Sequence, residues 1–125
     1  MGESLGRGRP ARHAWNDKIP VDPILSMPLE FIETLRPKRE NFIATMTAEE
    51  KAVMAGHFAY NRKLFDEGKI LIGGAATNGA IGIIILRVGS AEEAQQIHEN
   101  DPAVKAGIGH AELYPFRVGL FAGEK

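Results

Sequence analysis

Four histidines and no cysteine bound the chemistry this chain can do near neutral pH. Without a thiol there is no thiolate nucleophile, no disulfide and no cysteine zinc site. Among the histidines, His57 is distinguished by its surroundings. It sits within T-A-E-E-K-A-V-M-A-G-H-F-A-Y-N-R-K-L-F-D-E-G, from Thr47 to Gly68, which reads as one long helix. At roughly 100° per residue, Val53, Met54, His57, Phe58, Tyr60, Asn61, Leu64 and Phe65 cover an arc of about 160°. Lys51, Arg62, Lys63 and Asp66 lie outside it. An imidazole with a free pKa of about 6.5 is thus placed on the apolar side of a helix. Two readings stay open: a general acid/base, or a core histidine hydrogen-bonded to a backbone carbonyl.

The other candidates are weaker. Tyr60 and Asn61 share the His57 side of the helix and are possible polar groups for a ligand. Arg36 closes a predicted strand and could hold an anionic substrate; the alternative is a solvated arginine. Asp101 precedes Pro102, a helix N-cap followed by proline at the first helical position. His98 and His110 read as surface or packing residues. No H-E-x-x-H or H-x-x-x-H pair occurs, so no metal site is expected. Gly73-Gly74 and Gly107-Ile108-Gly109 fall in turn contexts and do not make a G-x-G-x-x-G nucleotide loop. No Ser or Lys is set up as a nucleophile.

The elements that must position these groups are readable in order. Leu29 to Arg36 is a strand, with Leu29, Phe31 and Leu35 on one face and Ile32 on the other. Pro37 to Met46 is a loop carrying Phe42 and Ile43 inward. The long helix opens on a capping box, Thr47 with Glu50, and stops at Gly68. Lys69 to Gly73 is a second strand. Asn78-Gly79 signals a hairpin into a third strand, Ala80 to Val88. There Ile81, Ile83 and Ile85 face one way and Ile84 and Leu86 the other. A strand apolar on both faces needs cover on both, and one chain's helices cover only one, so a second subunit is expected on the other. The alternative is a hydrophobic strand tolerated in a monomer. Ser90 to Glu93 is a second capping box, opening a helix through Asn100 with Ala94 and Ile97 inward. Ala111 to Phe121 is the last strand, with Tyr114, Phe116, Val118 and Leu120 on one face. Pro115 on the opposite phase marks an edge strand or bulge. The order β-α-β-β-α-β is that of a ferredoxin-like α+β domain.

At 125 residues the chain makes one domain. Residues 1–26, rich in Gly, Arg and Pro and without apolar periodicity, read as an irregular extension with little structure of its own, able to lie across the domain through Trp15, Ile24 and Leu25; residues 27–125 form the folded unit. A net charge of −1 gives no reason to expect nucleic acid or an anionic membrane surface. The R-G-R-P core of Gly6 to Pro10 resembles an AT-hook, but Glu3 and Leu5 flank it, which favours a plain tail. The longest apolar run, Ile81 to Leu86, is too short to span a bilayer, and no secretory h-region is present. Together with the missing cysteines this points to the cytoplasm.

Several segments together resemble a YCII-related (YciI-like) domain of the dimeric α/β-barrel superfamily. They are Leu35-Arg36-Pro37, His57-Phe58-Ala59-Tyr60, Gly73-Gly74, Asn78 to Ile83, and Asp101-Pro102-Ala103-Val104-Lys105-Ala106-Gly107 after Ser90 to Ala94. The resemblance runs from about Phe31 to Leu120. It implies a four-stranded antiparallel sheet with helices on one face, dimerising through the other. It also implies a pocket with a histidine–aspartate pair, at His57 and Asp101, with Tyr60, Asn61, Arg36 and Gly74 as candidate substrate contacts. Met54 stands where many members carry arginine, and Gly74-Ala75 where many have Gly-Pro. One branch resembles dehydrochlorinases of chlorinated hydroxyquinols, and the superfamily includes muconolactone isomerases. The function so implied is a cofactor-independent homodimeric enzyme moving a proton on a small ring-containing or carbonyl compound. The alternative is a non-catalytic dimeric small-molecule-binding module of the same fold.

Overall fold

The computed structural model describes residues 29–123. The N-terminal extension, with its arginines and Trp15, Ile24 and Leu25, lies outside the described residues. The elements are β1 (Leu29–Pro37), α1 (Phe42–Thr45), α2 (Ala48–Asp66), β2 (Ile70–Ala75), β3 (Gly82–Val88), α3 (Ala91–Asn100), α4 (Pro102–Lys105) and β4 (Gly109–Phe116). All strand pairs are antiparallel, in the order β2-β3-β1-β4. This is the ferredoxin-like α+β arrangement, and β4, the strand that carries Pro115, lies at an edge.

Helix α2 forms as its end signals require. The Thr47 hydroxyl accepts from the Glu50 amide at 3.1 Å and the Glu50 carboxylate accepts from the Thr47 amide at 2.9 Å. The Arg39 guanidinium clamps the same carboxylate through two 2.8 Å contacts and bonds the Thr45 carbonyl. At the far end Gly68 takes φ 81°, the left-handed geometry that a side chain would resist. Gly109 is required for a different reason: a Cβ there would stand 2.1 Å from the Arg36 carbonyl oxygen, so only glycine lets β4 start beside the end of β1.

Four local expectations are corrected. Residues 42–45 form a helical turn rather than a loop, so Phe42 and Ile43, roughly 100° apart, cannot both point inward. Phe42 is buried and Ile43 is 55% exposed. Strand β3 starts at Gly82, because Ala76 and Ile81 close the loop and the Asn78 side chain accepts from the Ala80 amide. Strand β4 stops at Phe116, and Leu120 is 97% exposed. Ser90 caps α3, but Glu93 does not complete the box: its carboxylate accepts from the Gly89 amide and pairs with Lys69, each at 3.0 Å.

The register sorts the sheet's side chains. Toward the helices point Phe31, Glu33 and Leu35 of β1, Ile84, Leu86 and Val88 of β3, and Leu113 of β4. The main core joins Phe31, Ile70, Leu86 and Val88 to Leu64, Ala94 and Ile97 from the helices. A second cluster gathers Phe42, Ala103 and Ile108 near α4. On the other face a row runs Ile72–Ile85–Ile32–Tyr114 across all four strands, with Ile83 and Phe116 beside it. Ile72 and Tyr114 are about half exposed there.

Candidate functional site

His57 is held in mid-helix by the packing of α2 on the sheet, which leaves it 9% exposed. Its Nδ1 stands 2.8 and 2.9 Å from the two carboxylate oxygens of Asp101, which is 2% exposed. Asp101 is at once the last cap of α3 and the N-cap of α4, and its Oδ1 accepts from the Ala103 amide at 2.8 Å. The proline that follows adds no competing donor, so the carboxylate is anchored by backbone and free to orient a ring. With Nδ1–H donated to Asp101, the lone pair of neutral imidazole belongs to Nε2. Asn61, one turn further along α2, brings its amide nitrogen to 3.3 Å from Nε2. Such a ring can take a proton at Nε2 while Asp101 stabilises the resulting cation.

These groups line a cavity of about 480 Å³ between the sheet and α2. His57, Asn61, Asp101, Glu33 and Gly74 contribute to its wall, and the remaining lining is mostly apolar, including Met54. Ile43, Phe58 and Phe65 also line it while remaining 49–60% exposed. The two phenylalanines were expected in the helix's apolar arc, which is wider than the surface α2 covers. The excess forms the mouth of the cavity.

Four of the sequence-derived candidates, His57, Asp101, Asn61 and Gly74, therefore come together. Two do not. Tyr60 donates its hydroxyl to the Ile97 carbonyl at 2.8 Å, tying α2 to α3 within the core. Burial, with Asp101 and Glu33 nearby, pushes its phenol up, so it remains a donor. Three residues from His57, Tyr60 is turned toward α3, whereas Asn61, four residues on, stands over the imidazole. Arg36 belongs to the face of β1 turned away from the helices, opposite His110. The inward phase of Leu35 already implied that placement.

One residue was missed. Glu33 is 5% exposed, lines the cavity, and meets His98 Nδ1 through its Oε2. Burial raises its pKa, the His98 contact opposes that rise, and Asp101 adds to it. The signal was present: Glu33 falls on the same two-residue phase as Phe31 and Leu35, a carboxylate on an inward face. His98, expected at the surface or in packing, is mostly buried by this contact. Among the described residues no three His, Cys, Asp or Glu side chains converge as a metal site would require. No described helix is long and apolar enough to cross a membrane.

Fold and site together define a ferredoxin-like α+β domain with a histidine–carboxylate contact at the wall of a small-molecule-sized cavity. The chain belongs to the YCII-related domain family, whose model matches residues 31–117. A solved structure similar to it is 5-chloro-2-hydroxyhydroquinone dehydrochlorinase (TftG) from Burkholderia phenoliruptrix AC1100, in complex with 2,5-dihydroxybenzoquinone. The match has a TM-score of 0.54 and 22% identity and covers 71% of this chain and 95% of that one. At that identity the likeness is one of fold. No curated protein matches the chain significantly.

Proposed function

We propose that the protein is a cofactor-independent enzyme, active as a cytoplasmic homodimer, that moves a proton on a small ring-containing or carbonyl compound in an elimination or isomerisation. The observation that carries this reading is the His57–Asp101 contact at the wall of an apolar cavity. His57 Nε2 takes a proton from an acidic carbon or hydroxyl, and Asp101 steadies the imidazolium. The released electron pair then either expels a leaving group such as chloride, giving elimination, or shifts along the ring so that His57 returns the proton elsewhere. Asn61 keeps the ring oriented between turnovers. Phe58 and Phe65 offer apolar surface to a planar ring entering the cavity. The similarity to a dehydrochlorinase supports the choice of reaction. A homodimer is supported by the isoleucine row on the open sheet face.

A positioned base of this kind contributes roughly 10²–10⁴ in rate, about 3–5 kcal/mol of barrier. The test is chloride release from chlorinated hydroxyquinols, followed with wild type and His57→Asn, which retains an N–H donor for Asp101. The variant is expected to lose about 100-fold or more in turnover with a melting temperature near that of wild type. Full activity in His57→Asn would remove the reading. Ligands that raise the melting temperature but emerge unaltered by mass spectrometry would replace it with a binding module.

A further inference from the structure

We propose that Glu33 and His98 form a second acid–base pair on the same cavity, with Glu33 donating a hydrogen bond, and in turnover a proton, to a substrate oxygen while His57 withdraws a proton elsewhere. The substrate class is then an enolisable cyclic carbonyl or a hydroxylated quinone-type ring, bearing an oxygen that faces β1. This rests on the proposed role of His57 and deepens it.

The argument begins from what a core requires at this position. Glu33 lies between Phe31 and Leu35 on the inward face of β1, opposite Ile84 and Leu113. An apolar residue would continue that core, and a buried ion pair is seldom more stable than its apolar replacement. Yet a carboxylate stands there, lines the cavity and is matched by a histidine from the last turn of α3. The ionisable groups facing it are His98 from α3, Asp101 from the α3–α4 junction, and His57 and Tyr60 from α2. Two histidine–carboxylate pairs are therefore buried on the helix-covered side of the sheet.

The proton count makes the second pair useful. A carboxylate with imidazolium and a carboxylic acid with neutral imidazole have the same net charge. In the second form His98 donates Nδ1–H to Glu33 Oε2, and Oε1–H is the donor to a ligand. Burial favours the uncharged carboxyl. In the reaction, a substrate C–H bond breaks as His57 Nε2–H forms, and the electron pair moves into the adjacent C=O. That oxygen takes the proton of Glu33 Oε1, leaving a carboxylate held by His98. Reversal at another carbon completes an isomerisation, and no oxidant or reductant is involved.

The probe is 2,5-dihydroxybenzoquinone, titrated by calorimetry into wild type, Glu33→Gln, Glu33→Leu and His57→Asn across the neutral pH range. Glu33→Gln keeps a donor and is expected within about threefold of wild type; Glu33→Leu is expected about tenfold weaker or more. In wild type the affinity falls as rising pH removes the pair's proton, and in Glu33→Gln that dependence is absent. A purely structural Glu33 would lower the melting temperature and leave the pH profile unmoved. The inference is overturned if Glu33→Leu binds as wild type does, or if Glu33→Gln keeps the wild-type pH dependence. The latter comparison decides the matter should Glu33→Leu not fold. Either result, obtained while His57→Asn still abolishes turnover, sinks this inference and spares the role of His57. No binding by wild type sinks both.

Discussion

The two faces of the sheet carry side chains opposite to those their exposure would suggest. The face under the helices holds Glu33 and receives His57, His98 and Asp101, all largely buried. The face away from the helices presents Ile32, Ile72, Ile83 and Ile85 with Tyr114 and Phe116, several of them 38–51% exposed. Neither choice is explained by the stability of an isolated chain. Buried charge is costly unless paired, and exposed isoleucine forgoes roughly 1.5–3 kcal/mol that burial would contribute. The difference teaches that the faces meet different things. The ionic face borders the mostly apolar cavity proposed as the substrate site, and the apolar face is the one proposed to meet a second copy of the chain.

Removing Asp101 is expected to have the largest effect on stability. Asp101→Ala leaves His57 Nδ1–H without its acceptor and strips the N-cap from α4, for a combined loss of about 2–4 kcal/mol. Asp101→Asn keeps an acceptor for the Ala103 amide and is expected to lose about half of that or less. Urea denaturation of the two variants separates the parts. A near-zero loss in Asp101→Asn beside the full loss in Asp101→Ala would mean that Asp101 acts as a cap and that its charge beside His57 contributes little, erasing the contrast between the faces.

Charging the open face tests the other half. Ile72 is half exposed, so Ile72→Lys is expected to change the stability of a lone chain by no more than about 0.5 kcal/mol. If a second copy covers that face, the substitution places two lysines in an apolar contact, and sedimentation should show monomer where wild type is dimeric. An unchanged dimer would move the interface elsewhere, and a wild-type monomer would leave the isoleucine row without a partner. The paired variant Lys51→Ile, on the solvent side of α2, serves as a control with no expected effect on assembly.

Much of this architecture was legible because its signals are local. Thr47, Glu50 and Gly68 bound α2 within a residue or two; Asn78-Gly79 marks the hairpin; Pro115 marks an edge strand; Asp101-Pro102 marks a helix start. What was not legible depends on distance. His57 and Asp101 lie 44 residues apart, and Glu33 and His98 lie 65 apart, so neither contact has a local signature. The first pairing came from family resemblance, and the second was missed although the phase of β1 put Glu33 inward. Helical periodicity placed Phe58, Phe65, Tyr60 and Asn61 on one side of α2 but carried no information on the width of the surface beneath. Two of the four border the cavity mouth, one ties helices together, and only Asn61 stands over the imidazole.

The smallest expected effect is a difference in sign between two glutamates. Glu50, clamped by Arg39 at the start of α2, has its carboxyl pulled from 4.5 to about 2. The unfolded chain binds that proton more readily, so this stabilisation is complete above about pH 4.5 and is lost as pH falls toward 2. Glu33 is shifted the other way from 4.5, chiefly by burial. Here the folded chain holds the proton more tightly, so stability falls as pH rises from 4.5 through the raised value and then levels off. Urea midpoints measured from pH 2 to 8, values chosen to span about both windows, should therefore rise on the acid limb and decline gently above it. Glu50→Gln is expected to flatten the acid limb alone, and Glu33→Gln the decline alone. A decline that survives in Glu33→Gln would mean that the Glu33 carboxyl is not its source.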